Sequence, residues 1–272
     1  MTKKANMLSS VKPWDMVAEG YAEITMKLFQ GYTDKALALS ELNEGSNIVD
    51  IACGPGTLAL AAAKKVNSVK AVDFSASMLA ILQETINQQA IDNIETHFGD
   101  GQNLPYDDES FDAAFSMFGL MFFPDRNKGY AEIFRTLKPS GTVVISSWAP
   151  VSESPAMMAV FGAVKAINPD MPAPQADIES LENPEVFKSE LLNAGFSDIK
   201  IHRITKKFVV NTVEEFWNDM VKGSAPLVMM KNSMSEETWK DKSQIALEYL
   251  DKTIGACPTS IAADAWLGYG RK

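Results

Sequence analysis

The chain has 272 residues, 46% of them apolar, with 25 basic against 35 acidic side chains and a formal charge of −10. That is enough for one large core plus a subdomain, and the acidic balance argues against a nucleic-acid partner, whose phosphates must meet a basic surface. There is no run of about 18 apolar residues and no leader-like segment, and Cys53 and Cys257 have neither disulfide-framework nor metal-ligand spacing, so a reducing cytoplasm without a membrane span is expected.

Residues 11–40 set Trp14, Asp15, Tyr21 and Phe29 in a helix-like pattern, an arm ahead of the core. At 47–60 the sequence NIVDIACGPGTLAL reads as an apolar strand ending at Asp50, a turn of small residues from Ala52 to Gly56, and a helix opening near Thr57. Small residues let the backbone pass close to a bound molecule. The helix start aims unpaired N–H groups at the same place. A second strand over 68–72 leads into Asp73, Phe74 and Ser75, then a helix carrying Met78, Leu79, Leu82 and Ile86 on one face. The segment 94–112 reads as a third strand, the pair Gly99-Asp100 with Gly101 and Gln102 beside it, and the entry to a fourth strand ending near Ser116. Met117, Phe118 and Gly119 follow, then a helix with Tyr130, Ile133, Phe134 and Leu137 on one face, a turn at Lys138, Pro139, Ser140 and Gly141, and a fifth strand over 142–147.

Residues 150–182, rich in Pro, Met and Ala, are expected to form lid helices and irregular turns over the strand ends. Asn183 and Pro184 suit the cap and first position of a helix that stops at Gly195, followed by a strand over 198–204. Thr212 and Glu215 make a capping box for a helix to about Lys222, a longer helix spans about 235–253, and 262–270 reads as a closing strand. Lys206 and Lys207 with Arg203 form only a modest basic cluster, best read as an edge strand.

Two ligands suit the glycine turn. Gly54, Gly56 and Ala59 satisfy the G-x-G-x-x-A form of the dinucleotide fingerprint, with Asp73 near the distance of a ribose-binding acid. Asp50 would repel a pyrophosphate but attract the ammonium and sulfonium of S-adenosylmethionine. A carboxylate at Asp73 can accept both ribose hydroxyls, or serve as a plain helix cap or turn acid.

Asp50, Ala52, Gly54 and Gly56, with the segments at Asp73, Gly99-Asp100 and 111–125, resemble the class I S-adenosylmethionine-dependent methyltransferases, in particular the type 11, ubiquinone/menaquinone-biosynthesis group. The departure is Ala52, where glycine is commoner. The match runs over 45–150. It implies an α/β, Rossmann-like, doubly wound seven-stranded sheet with an antiparallel last strand and a helical lid. It divides the chain into an N-terminal helical arm over the cofactor (1–44), a cofactor-binding core (45–150), and lid helices with the closing strands of the same sheet (151–272). By resemblance the cofactor is S-adenosyl-L-methionine, leaving as S-adenosyl-L-homocysteine. Asp73 would bind its ribose, Phe74 and Met78 wall its adenine, Asp100 accept from the adenine amino group, and Met117 and Phe118 border the methyl donor. Met78 also fits as ordinary core. The arm is expected to fold over the cofactor, with an aromatic near Tyr21 closing the site, or to be a simple packing helix.

The implied partner is a small-molecule methyl acceptor, apolar or aromatic, with Trp14, Tyr21, Phe122, Trp148 and Met229 as candidate contacts. Met229, Met230 and Met234 would line an adaptable pocket or simply pack the lid. No convincing general base is present. His97 lies on the third strand and His202 on the sixth, and the stretch after the fourth strand has no titratable side chain. Methyl transfer is therefore expected to run on proximity and desolvation, with Tyr21 as the one hydrogen-bonding candidate. The other readings are a non-catalytic S-adenosylmethionine binder and an NAD(P)-dependent oxidoreductase, the second disfavoured by Asp50 and the Gly99-Asp100 segment.

Overall fold

The computed structural model describes residues 7–171 and 180–272. Of the stretch 150–182 expected as a lid, residues 172–179 lie outside the described residues. So do residues 1–6 of the arm.

The described residues build a seven-stranded sheet in the order β3-β2-β1-β4-β5-β7-β6. Strands β1 (Asn47–Ile51), β2 (Ser68–Asp73), β3 (Ile94–Phe98), β4 (Phe111–Ser116) and β5 (Leu137–Trp148) run parallel. β7 (Thr259–Arg271) runs antiparallel between β5 and the edge strand β6 (Ser197–Val210). This is the expected doubly wound sheet with its reversed last strand. Strand periodicity explains its layers. Ile48, Val69, Ala71, Ala113, Phe115 and Val144 face one side, where they pack with α2 (Met26–Leu39), α3 (Thr57–Ala62) and α4 (Ala76–Gln89). Val49, Ile51, Val72, Ala114, Val143 and Ile145 face the other, against α5 (Arg126–Thr136) and α7 (Pro184–Asn193). With both faces covered, the inner strands read as nearly continuous apolar runs.

The arm is α1 (Val11–Gly20), a π-helical turn at Tyr21–Thr25, and α2. Helices α6 (Pro155–Ile167), α8 (Val213–Gly223), α9 (Ala225–Asn232) and α10 (Glu236–Ile254) are those expected as a lid, and α6, α8 and α10 share a core around Trp217, Ala163 and Leu250. As expected, α8 and α10 lie between strands six and seven. Thr212 accepts from the Glu215 amide and Asn183 from the Glu185 amide, capping α8 and α7.

Three local expectations need correction. The turn at Lys138–Gly141 is absorbed into β5 as an irregularity: two steps along β4, Phe111 to Ala113, oppose five along β5, Leu137 to Thr142. Ser140 and Gly141 are pinned there by backbone bonds with Lys272 at the end of β7. β6 extends to Val210 rather than stopping at Ile204, because β7 pairs with it along that whole length, while Lys207 stays exposed and Lys206 lies over Gly31 of α2. β7 likewise starts at Thr259, paired with Val210. The third is the π turn, which simple helical spacing does not anticipate.

Candidate functional site

The strand order reverses at β1, which pairs with both β2 and β4, and a cavity opens beyond the carboxyl ends of the strands there, the usual ligand position of such sheets. Its floor is the turn after β1. Gly56 caps α3 at φ 91°, a left-handed conformation, and a Cβ on it would stand 2.3 Å from Leu82 Cδ1, so glycine is required on both counts. The amide of Gly54 donates to Asp73 Oδ2 at 2.7 Å and that of Ser75 to Asp73 Oδ1 at 2.8 Å, fixing the carboxylate at the end of β2.

Asp50 is 1% exposed. Its Oδ2 accepts the Ala59 amide of α3 at 3.1 Å, whereas Oδ1 is buried with no protein partner. Burial pushes its pKa up to about 7, against the lowering effect of the Ala59 bond and with a further push from Asp73. Asp73 is raised to about 6, by burial first, while its backbone bonds act the other way. The Cys53 thiol is pushed well up by burial and by both carboxylates, so it is no thiolate.

The walls are apolar. Trp14, Tyr21 and Phe29 from the arm line the cavity together with Phe74, Met78, Met117, Phe118 and Phe122, Trp14 packing on Phe122 and Phe29 on Phe118. Two buried serines hold the β4 loop: Phe118 N–H donates to Ser146 Oγ at 2.7 Å and Leu120 N–H to Ser116 Oγ at 3.1 Å. Gln102 donates to the Asp100 carboxylate and its Oε1 accepts the Asp125 amide at 3.0 Å, tying the third-strand loop to α5. The arm is stitched down by Asp15, which accepts from Ser75 Oγ at 2.6 Å, and by Ser9, which donates to the Phe122 carbonyl at 2.6 Å.

Eleven of the twelve residues singled out in the sequence for the cofactor line this cavity: Asp50, Ala52, Gly54, Asp73, Phe74, Met78, Asp100, Gly101, Gln102, Met117 and Phe118. Gly56 does not line it; it shapes the turn by capping α3. Met78 is also core, packed with Val17, Ala18 and Ala225. Of the acceptor candidates, Trp14, Tyr21 and Phe122 line the cavity. Trp148 does not: it stacks behind Phe118, ring centroids 4.4 Å apart, and so supports the wall. Met229 does not either, because it lies on α9, outside the lining. Neither histidine lines the cavity; His97 packs beside Tyr106 and His202 sits on β6. Sequence reasoning missed Leu8, Ser9 and Thr33, which carry no motif, and passed over Phe29 as a mere arm aromatic.

The model of the ubiE/COQ5 methyltransferase family matches residues 9–213. The chain belongs to that family. It is 34% identical over 124 residues to the demethylmenaquinone methyltransferase of Bacillus subtilis, covering 44% of this chain and 53% of that one. A second demethylmenaquinone methyltransferase, from Desulfitobacterium hafniense, is 39% identical over 121 residues, covering 43% and 48%. The chain thus spans about half the length of these curated relatives. Among solved structures, phosphoethanolamine N-methyltransferase 2 of Haemonchus contortus superposes with a TM-score of 0.58 at 17% identity, covering 95% of this chain and 57% of that one. At that identity the likeness concerns the fold. The family match extends from the arm through β6 to the start of α8, leaving out β7.

Proposed function

We propose that the chain is an S-adenosylmethionine-dependent methyltransferase whose acceptor is a small aromatic, quinol-like molecule. The observation that carries the cofactor is Asp50: a buried carboxylate with one oxygen unpaired, beside a glycine turn at the strand switch point, fits an ammonium. A pyrophosphate would add charge repulsion at the same place. Asp73 is set to take the two ribose hydroxyls, and Phe74 with Met78 forms an apolar slot for adenine. The bound cofactor supplies an electrophilic methyl group on sulfur.

The acceptor side follows from what lines the remaining space. Trp14, Tyr21, Phe29, Phe118 and Phe122 offer ring faces and edges to a flat apolar molecule, and the names of the relatives point to quinone chemistry. No Lys, Arg or His is found among the described lining residues. The Tyr21 phenol is pushed above its ordinary value by burial and then by Asp73, so it stays neutral and acts as a donor rather than a base. The protein's contribution is therefore to orient the acceptor and exclude water, effects worth about 7–11 kcal/mol in favourable cases.

The test supplies S-adenosylmethionine with a reduced demethylated naphthoquinone, a simple phenol and a polar amine, and follows S-adenosylhomocysteine. Turnover with the naphthoquinol above the phenol, and none with the amine, is expected. Cofactor binding with no turnover on any aromatic acceptor would make the chain a binder rather than an enzyme.

A further inference from the structure

We propose that the Thr33 hydroxyl, carried into the cavity by the arm, is the donor that holds the amino-acid carboxylate of the bound S-adenosyl compound. This rests on the cofactor reading above and names a contact within it.

Thr33 lies on α2, is 1% exposed, and lines the cavity. Its Oγ1 is buried without a hydrogen-bond partner. Threonines within helices commonly satisfy themselves on the carbonyl four residues back. In this chain Thr85, Thr136 and Thr253 all do so, at 3.0, 2.8 and 2.8 Å. Thr33 does not, although the same bond is open to it in principle. A buried hydroxyl left unpaired is costly, and this one belongs to a residue that lines a ligand cavity.

Its position fixes which part of the ligand it meets. One helical turn on, Ala36 and Leu37 pack with Leu58 and Ala59 of α3, and the Ala59 amide is the group that holds Asp50. Thr33 therefore enters at the Asp50 end of the cavity. On the other side its neighbour Phe29 packs on Phe118, ring centroids 4.5 Å apart, at the loop after β4.

The ligand's charges complete the case. An amino-acid group brings an ammonium and a carboxylate on one carbon, so whatever places the first beside Asp50 brings the second close by. The described lining residues offer no cationic side chain to meet it. A cation there would pair with Asp50 and compete with the ammonium, whereas a neutral hydroxyl donates to the carboxylate and leaves Asp50 free.

The experiment measures, by calorimetry, the affinities of S-adenosylhomocysteine and of 5′-methylthioadenosine, which keeps the adenosine and thioether but lacks the amino-acid group. Wild type, Thr33→Val and Thr33→Ser are compared. Thr33→Val is expected to weaken S-adenosylhomocysteine by about tenfold or more while leaving methylthioadenosine within about twofold, and Thr33→Ser to restore the wild-type ratio. A packing defect would weaken both ligands alike and leave the ratio unchanged, which would overturn the proposal. Equal S-adenosylhomocysteine affinity in wild type and Thr33→Val would also overturn it, leaving the cofactor reading intact. Wild type binding neither ligand would bring down both.

Discussion

In the proposed reading, Asp50 serves a ligand at a cost to the empty protein. Its buried, half-paired carboxylate holds a proton up to about pH 7, and a bound ammonium favours the charged form, so binding must release that proton. Affinity for S-adenosylhomocysteine is therefore expected to rise by up to about tenfold per pH unit below neutrality and to level off above about pH 7. Calorimetry at pH 6 in two buffers of different ionisation heat should detect close to one proton released; affinity independent of pH from 5.5 to 8 would count against the assignment. Two residues on, Ala52 adopts φ 56°, a conformation that costs an L-residue about 1–2 kcal/mol. Ala52→Gly removes that strain and gives back part of it as extra chain entropy, so a gain of about 1 kcal/mol in urea unfolding is expected. Tyr21→Phe bears on the acceptor rather than the cofactor. If the phenol orients the acceptor, turnover should fall by about fivefold or more with cofactor affinity unchanged; unchanged turnover would remove the role.

At the scale of elements, the arm does more than cover the cavity. Tyr21 and Phe29 both line it, eight residues apart, and eight residues of regular α-helix would turn them from one another. The π turn at Tyr21–Thr25 takes up about one residue, leaving seven, close to two turns of 3.6 residues. The same turn sits against the lid. Thr25 Oγ1 donates to the Gly223 carbonyl at 3.3 Å, and Lys222 pairs with Glu23. There Gly20 approaches so closely that a Cβ would stand 2.1 Å from the Lys222 carbonyl oxygen. Backbone cannot yield as a flexible side chain would, so Gly20→Ala is expected to cost about 1–3 kcal/mol and to separate arm from lid. A lower thermal midpoint together with weaker S-adenosylhomocysteine binding is the predicted outcome. A lower midpoint with unaltered binding would mean that this contact does not hold the cavity closed.

For the whole molecule, two buried acids with raised pKa values tie stability to pH. Asp50 and Asp73 sit near 7 and 6 in the fold against an ordinary value of 3.8, so between these limits the folded state holds more protons than the unfolded one. Their contribution is greatest below about pH 4 and is lost as pH rises through 6 to 7. Relative to Asp50→Asn, the empty wild-type protein should therefore lose stability between pH 5 and pH 8. S-adenosylhomocysteine should raise the melting temperature more at pH 8 than at pH 5.5, since the ligand partners the charged form; at a hundredfold excess over Kd it adds about 2.7 kcal/mol. An equal shift at both pH values would refute the linkage.

The sequence alone determined the sheet and the strand-end residues that line the cavity. Both are local: the turn from Asp50 to Gly56 and the segments at Asp73 and Asp100 each put a side chain or backbone group at a strand end, and strands stacked in parallel bring those ends together. Strand limits were less legible where a neighbour decides them, as at β6, which continues past Ile204 only because β7 offers it partners as far as Thr259. The tertiary structure alone decided who faces the cavity from outside the core. Trp148 and Phe118 are both aromatic residues at strand ends, yet one forms the wall and the other stands behind it. Met229 falls away with α9, and Thr33 arrives by way of a helix whose rotation depends on a π turn twelve to eight residues before it. Periodicity specifies which face of a helix is apolar; which cavity that face meets is set by how helices dock, through contacts between residues far apart in the chain.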